Sequence, residues 1–354
     1  MMPLMETRLV SQWVRRSALA LIGAGLLGSG LPGAWCAAQQ RGERIEKPLA
    51  GPRAAPLRVT WLYVSPDESA QKVGRVQVGR EMVVAEKSGT WLRVFANTDV
   101  QEMKDQRDQP WIGGEDDMPP PISGWVQARG VVVETMPDGD RVLMGEASND
   151  EALASDPRGP AKAAQSARLL YRRVVEMYPS SPLAPEAAWR AADIQWQIQK
   201  ADQASRPSAK EQAPYMREGL DETEMKKIFK FYPRTPQAAM AAYEMLDNKL
   251  CGDWQGQEKC PIREAGLYEQ YASEFPDGPR TAKALYEAVY RNAVLVDMFH
   301  ADNSDKKADA AKKQAAALQD RMKQKFPQSD YTNRASALVF KIDQGIPVYG
   351  IDQQ

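Results

Sequence analysis

Nucleophilic catalysis through an imidazole is the first chemistry to seek, and this chain of 354 residues has one histidine, His300, to supply it. His300 closes the mostly apolar run Val294 to Phe299 and precedes the polar Asp302-Asn303-Ser304. That is the C-terminal end of a helix, where a partly charged imidazole is favoured without any catalytic task. Cys251 and Cys260 flank the polar stretch 252–259, whose two glycines allow a turn. In an oxidising compartment such a pair reads as a disulfide, stabilising by about 2 to 3 kcal/mol through loop closure, with two unpaired thiols as the alternative. The spacing is not CxxC and no histidine is near in sequence, which argues against a metal or redox pair. Gly-rich phosphate loops, HExxH and calcium-loop patterns do not occur in the sequence. Neither a metal nor a cofactor is expected, and no catalytic residue is assigned. Carboxylate-pair hydrolysis stays open as an alternative, although many acids gather in an insertion, in a linker and on outer helix faces, where solvation is their ordinary role.

The elements that must hold these residues follow from composition. With 43% hydrophobic and 26% charged residues, the chain suits two globular domains and a linker. Its net charge of −1 provides no basic field, so nucleic acid is not an expected partner. Residues 1–38 carry Arg8, Arg15 and Arg16, then the uncharged run Ser17 to Leu31, then the small Ala37 and Ala38. That order describes a secretory signal peptide, cleaved near Ala38. The run is short and Gly-rich for an uncleaved anchor, and the bulky Trp35 before Cys36 argues against a lipid-bearing cysteine. The mature chain is thus expected in the periplasm or cell envelope, with no transmembrane span. Residues 39–56 lack periodicity and read as a flexible tether.

From Leu57 to Thr135 short β-patterned runs alternate with Gly, Ser, Asp and Pro: Leu57 to Val64, Gly74 to Val76, Glu81 to Ala85, Trp91 to Phe95, Gly124 to Gln127 and Val131 to Val133. Many short strands in so few residues imply a small closed barrel. Tyr63-Val64-Ser65-Pro66, Lys72-Val73-Gly74-Arg75-Val76, Gly79 to Val84, Ser88 to Val94 and Gly124-Trp125-Val126 resemble, in order, the bacterial SH3-like domain. The resemblance covers residues 57–135 and implies a module that binds peptidoglycan or a short peptide. It departs from the family between Asn97 and Ile122, where an insertion (97–122) holds seven acidic and two basic residues. Trp61, Tyr63, Trp91 and Trp125 are candidates to line a peptide or glycan groove, with core packing as the alternative.

Residues 136–160, rich in acids, Gly and Pro, read as a linker. Beyond it an aromatic-Pro pair ends an amphipathic run four times, at Tyr178-Pro179, Tyr232-Pro233, Phe275-Pro276 and Phe326-Pro327. Proline disfavours helical geometry in the residue before it. Two residues past each proline come Ser181, Thr235, Gly278 and Ser329, expected to cap the next helix. Pro182, Pro236 and Pro279 then fit a first helical position. Eight past each proline lies an alanine, Ala187, Ala241, Ala284 or Ala335, small enough for close helix approach. The prolines are 54, 43 and 51 residues apart, longer than the roughly 34 residues of a compact tetratricopeptide unit. Polar stretches such as 201–212 and 300–313 account for the surplus.

Residues 161–344 accordingly resemble tetratricopeptide repeats of the type found in outer-membrane assembly factors of the Bam-complex lipoprotein kind, followed by a tail at 345–354. The resemblance implies a helical solenoid that holds a protein partner. Trp189, Tyr243 and Tyr286, with Trp196 and Tyr290, face either its concave surface or its core. The expectation is a β-barrel followed by an α-solenoid, acting as a non-enzymatic envelope scaffold. A cell-wall hydrolase and an accessory of an outer-membrane assembly or secretion machine are the alternatives.

Overall fold

The structure, a computed structural model, describes residues 50–99, 121–206, 219–252 and 254–349. The expected signal peptide, residues 39–49 of the tether, residues 100–120 of the insertion and residues 350–354 of the tail lie outside the described residues. Seven strands form one antiparallel sheet: β1 (Arg53–Pro56), β2 (Thr60–Tyr63), β3 (Lys72–Val76), β4 (Met82–Ser88), β5 (Trp91–Ala96), β6 (Ile122–Gln127) and β7 (Val131–Val133), in the order β3-β2-β6-β5-β4-β1-β7. Alternation decides what they bury. On β5, Leu92, Val94 and Ala96 point inward while Trp91, Arg93 and Phe95 do not. Leu62, Val76, Met82, Val126 and Ala54 join them in one core cluster.

Two expectations need correction here. The hydrogen-bonded ladder has two ends, β3 and β7, so pairing among the described residues does not close a cylinder. The sheet also starts earlier than residue 57: Arg53–Pro56, read as tether, pairs with both β4 and β7, and Ala54 and Ala55 are fully buried. Small residues and a proline carry little β pattern by themselves, and the neighbouring strands supply it.

Nine helices follow among the described residues: α1 (Gly139–Ala154), α2 (Ala163–Met177), α3 (Ala184–Ser205), α4 (Thr223–Phe231), α5 (Pro236–Glu244), α6 (Lys259–Glu274), α7 (Thr281–Ala301), α8 (Asp305–Lys325) and α9 (Asp330–Asp343). Helix α1 replaces the expected linker. Its Leu143 and Ala147 are fully buried in a cluster with Leu170 and Val174 of α2. The Tyr171 hydroxyl donates to Glu151 Oε2 at 2.6 Å, tying α1 to α2. What looks like a Gly- and Pro-bearing loop at Pro137 to Asp140 is a helix entry, with Asp138 in the left-handed region at φ 54°.

The four aromatic-Pro pairs fall where α2, α4, α6 and α8 end. Tyr178, Tyr232, Phe275 and Phe326 share nearly one backbone conformation, with φ of −129°, −129°, −123° and −130°. Each donates its N–H to the carbonyl four residues back, the last helical bond before proline stops the run. Ala187, Ala241, Ala284 and Ala335 are all fully buried in the second helix of their pair. The start signals are less uniform than expected. Thr235 caps α5 by accepting from the Ala238 N–H at 3.2 Å, and Pro236 opens that helix. Pro182 and Pro279 instead precede their helices by two residues, and Thr281 and Thr332 donate their hydroxyls back to the Phe275 and Phe326 carbonyls.

Sheet and helices share their packing. Ala55 and Val132 of the sheet belong to the same cluster as Leu143, Leu170 and Val174. Beside it, Arg173 of α2 is fully buried and holds Glu81 (3.1 Å), Asp99 (2.9 Å) and Glu176 (2.6 Å). Further along, Cys251 and Cys260 are disulfide-bonded, with Cα atoms 6.1 Å apart, as expected from their flanked loop. The buried Glu264 fixes that loop, accepting from the Cys251 N–H and from Arg291 Nε, each at 2.8 Å. Among the described residues no helix is long and apolar enough to cross a membrane.

Candidate functional site

Antiparallel partners project to the same side of a sheet, as do residues two apart on one strand. Trp61 is opposite Arg75, Tyr63 is opposite Trp125, and Trp125 is opposite Arg93. Trp91 lies two residues before Arg93. All four aromatic candidates of the sheet, Trp61, Tyr63, Trp91 and Trp125, therefore share its outer face, and none belongs to the core cluster. Their neighbours Leu62, Leu92 and Val126 take the inner positions. Each of the four sits out of phase with the buried residues of its strand, Trp61 exposed and Tyr63, Trp91 and Trp125 half-buried.

The geometry of this face is that of a ring platform with a cationic border. Trp61 is 41% exposed, with Lys72 Nζ 4.7 Å and the Arg75 guanidinium 5.7 Å from its ring centroid. Tyr63 meets Trp91 edge to face, centroids 5.5 Å apart at 87°. Val59, Val64 and Val73 add exposed apolar surface nearby in sequence. Such a surface can stack against the apolar face of a sugar or an extended peptide, while its cations attract carboxylates.

The helical candidates are not brought to this face. Trp189 and Tyr243 are each 8% exposed. Trp189 packs with Trp196, Met225 and Ile228, and Tyr243 with Tyr268 and Tyr271. Burial pushes the Tyr243 phenol well above its ordinary range. Tyr286 is half-buried, its ring 5.7 Å from that of Tyr331, and Tyr290 packs 6.0 Å from Trp254. These aromatics pack between neighbouring helices and, at Trp254, against the disulfide loop. His300 occupies the last turn of α7, with Nδ1 3.3 Å from Asp305 Oδ1. Among the described residues no group of three or more His, Cys, Asp or Glu side chains could hold a metal ion.

A second feature was not anticipated from sequence. Among the described residues, a cavity of about 420 Å³ opens between β1, α2, α3 and α4. Arg53, Arg172, Lys227 and Lys230 line it, together with Glu176 and Glu224. The one sequence signal that could have pointed to it is the Arg172-Arg173 pair, which interrupts the apolar run from Leu169 to Val175.

The chain matches no family model and no curated protein. A solved structure described as "DHF79 filament" covers 57% of this chain and 99% of its own length at 16% identity, with a TM-score of 0.19. Superposition at that level establishes no shared fold.

Proposed function

We propose that this chain is a non-enzymatic binding and scaffold protein of the bacterial cell envelope. In this reading the sheet is an SH3-like module that binds peptidoglycan or a peptide, and the helix pairs are tetratricopeptide-like repeats that hold a protein partner. The observation that carries it is the gathering of Trp61, Tyr63, Trp91 and Trp125 on the outer face of the sheet, bordered by Lys72, Arg75 and Arg93. Aromatic rings beside cations suit a polymer that offers sugar faces and peptide carboxylates. Four helix pairs joined by near-identical turns support the second half, since stacked helix pairs present extended surfaces to partners. The disulfide fits an oxidising compartment such as the periplasm.

Retention of the full mature chain on purified sacculi tests the first half. The wild-type chain is expected to pellet with sacculi, and the Trp61→Ala, Trp125→Ala double variant to lose most of that retention with unchanged circular dichroism. Equal retention of the two chains, or none of either, overturns the assignment of this face.

A further inference from the structure

Residues 345–349 follow α9, lie against α7 and are held at their two ends. Gly345 takes φ of 66°, and the Ile346 N–H returns to the Lys341 carbonyl at 2.9 Å, a helix stop that turns the chain back. At the far end Asp297 Oδ2 of α7 accepts both the Val348 and the Tyr349 N–H, at 2.6 and 2.9 Å. Between these anchors Gly345, Ile346 and Pro347 are exposed, and they border a cavity of about 370 Å³ whose other walls include Val296, His300 and Ile342. A segment laid along a space buries little apolar surface, so its seating depends on the few contacts at its ends.

The other contacts at the far end come from the disulfide loop. The Tyr349 ring lies 6.0 Å from that of Trp254, and its hydroxyl accepts from the Gly256 N–H at 3.2 Å. Trp254 is itself placed by α6 and α7. Its Nε1 donates to Glu264 at 3.3 Å, its ring is 6.0 Å from that of Tyr290, and the Arg291 guanidinium stands 5.6 Å from its centroid. The loop that carries Trp254 and Gly256 has little regular structure to hold it. Between Leu250 and Glu258 the described residues belong to no helix or strand, and Gly252, Gln255 and Gly256 hold left-handed φ of 80°, 48° and 76°. For Gln255 that conformation costs energy. All three lie within the ring of chain that the bridge between Cys251 and Cys260 closes, so the bridge restrains the loop against relaxing. Both cysteines are half-buried, which leaves the bridge within reach of an attacking thiolate.

We propose that residues 345–349 are a strap latched by the disulfide: with Cys251 and Cys260 joined, the strap is seated on Asp297 and closes one side of the cavity, and with the bridge reduced it is released. The opening step is exchange with a protein dithiol. A thiolate of that dithiol attacks one sulfur of the bridge and forms a mixed disulfide, expelling the other cysteine as a thiolate that takes up a proton. The second thiol of the dithiol then resolves the mixed bond. Cys251 and Cys260 end as two thiols and the partner as a disulfide, two electrons and two protons having passed to this chain. The relaxed loop no longer holds Gly256 and Trp254 against Tyr349, which leaves the far end of the strap on its two bonds to Asp297. Release bares Asp297 and the α7 wall of the cavity, whatever ligand the aromatic face of the sheet takes.

Hydrogen exchange of the full, untagged chain, read by mass spectrometry at residues 345–349, provides the test. The ring resonances of His300, the one histidine of the chain and a wall of that cavity, give a second readout. A small dithiol added to the wild-type chain, and separately the Cys251→Ser, Cys260→Ser double variant, are each expected to speed exchange at Val348 and Tyr349 about tenfold and to shift the His300 resonances, while α7 stays protected. Tyr349→Ala with the bridge intact is expected to do the same. In the reduced chain Tyr349→Ala should then add less than about threefold, because the contact it removes is already lost. Unchanged exchange at 345–349 after reduction overturns the strap. So does acceleration that spreads through α6 and α7, which would make the bridge a support of the fold and not a latch. Full additivity of reduction and Tyr349→Ala overturns the link between loop and strap. Where the double variant fails to fold, the dithiol-treated wild-type chain carries the same readouts.

Discussion

Arg173 holds three carboxylates, two of them where water scarcely reaches. Its side chain is fully buried, as is that of Asp99, and Glu81 is 4% exposed. Removing the cation leaves charges that neither solvent nor a neighbour neutralises in full. Arg173→Met is therefore expected to lower stability by about 3 to 5 kcal/mol at neutral pH, measured by denaturant unfolding. A deficit below about 1 kcal/mol would mean that the remaining arginines neutralise these carboxylates without Arg173. Glu244 is a different case. Burial, with Asp247 and Asp193 nearby, raises its carboxyl above the ordinary range. Its folded pKa then exceeds its unfolded one, so its ionised form costs stability at neutral pH, and that cost fades as the pH drops through the raised value. Glu244→Gln should raise the thermal midpoint by a few degrees at neutral pH, and the gain should vanish in acid. Neither environment was legible in the sequence, because an Arg or Glu in an amphipathic helix is ordinarily solvated.

At the scale of elements, the joints between helices were legible and the junction with the sheet was not. An aromatic-Pro pair stops a helix by local chemistry, and the fully buried alanines sit where their spacing put them. The turn at Gly79 depends on a distant partner. Gly79 has φ of 71°, and a Cβ there would lie 2.7 Å from Leu169 Cβ and 2.9 Å from the Leu170 N of α2. Gly89, also left-handed at 56°, has nothing within 4 Å of its Cβ position. Gly79→Ala should accordingly cost about 1 to 3 kcal/mol more than Gly89→Ala in thermal unfolding, since the second pays backbone strain alone. Equal losses would show that α2 yields to the sheet. The linker reading of 136–160 failed for a related reason: α1 mixes its apolar residues with Gly, Ser, Asn and Asp, and Leu143 and Ala147 become core residues once α2 lies against them.

For the whole molecule, the expected division into two modules gives way to one compact unit from Pro48 onward. Sheet residues Ala55 and Val132 share a core with helical residues Leu143, Leu170 and Val174, and Arg173 clamps the same boundary. Calorimetry of the chain should therefore show the sheet and α1 to α3 unfolding in a single transition, with tertiary and secondary signals coincident. A separate early transition of the sheet would show that this boundary is weak. The sequence by itself determined what local chemistry decides: where strands alternate, where proline ends a helix, and which two cysteines could meet. Tertiary structure alone decided which face of the sheet carries its aromatics to solvent and which charges are buried. Those outcomes depend on pairs such as Arg173 with Glu81 and Asp99, 92 and 74 residues apart, and no local pattern encodes the environment that such distant neighbours create.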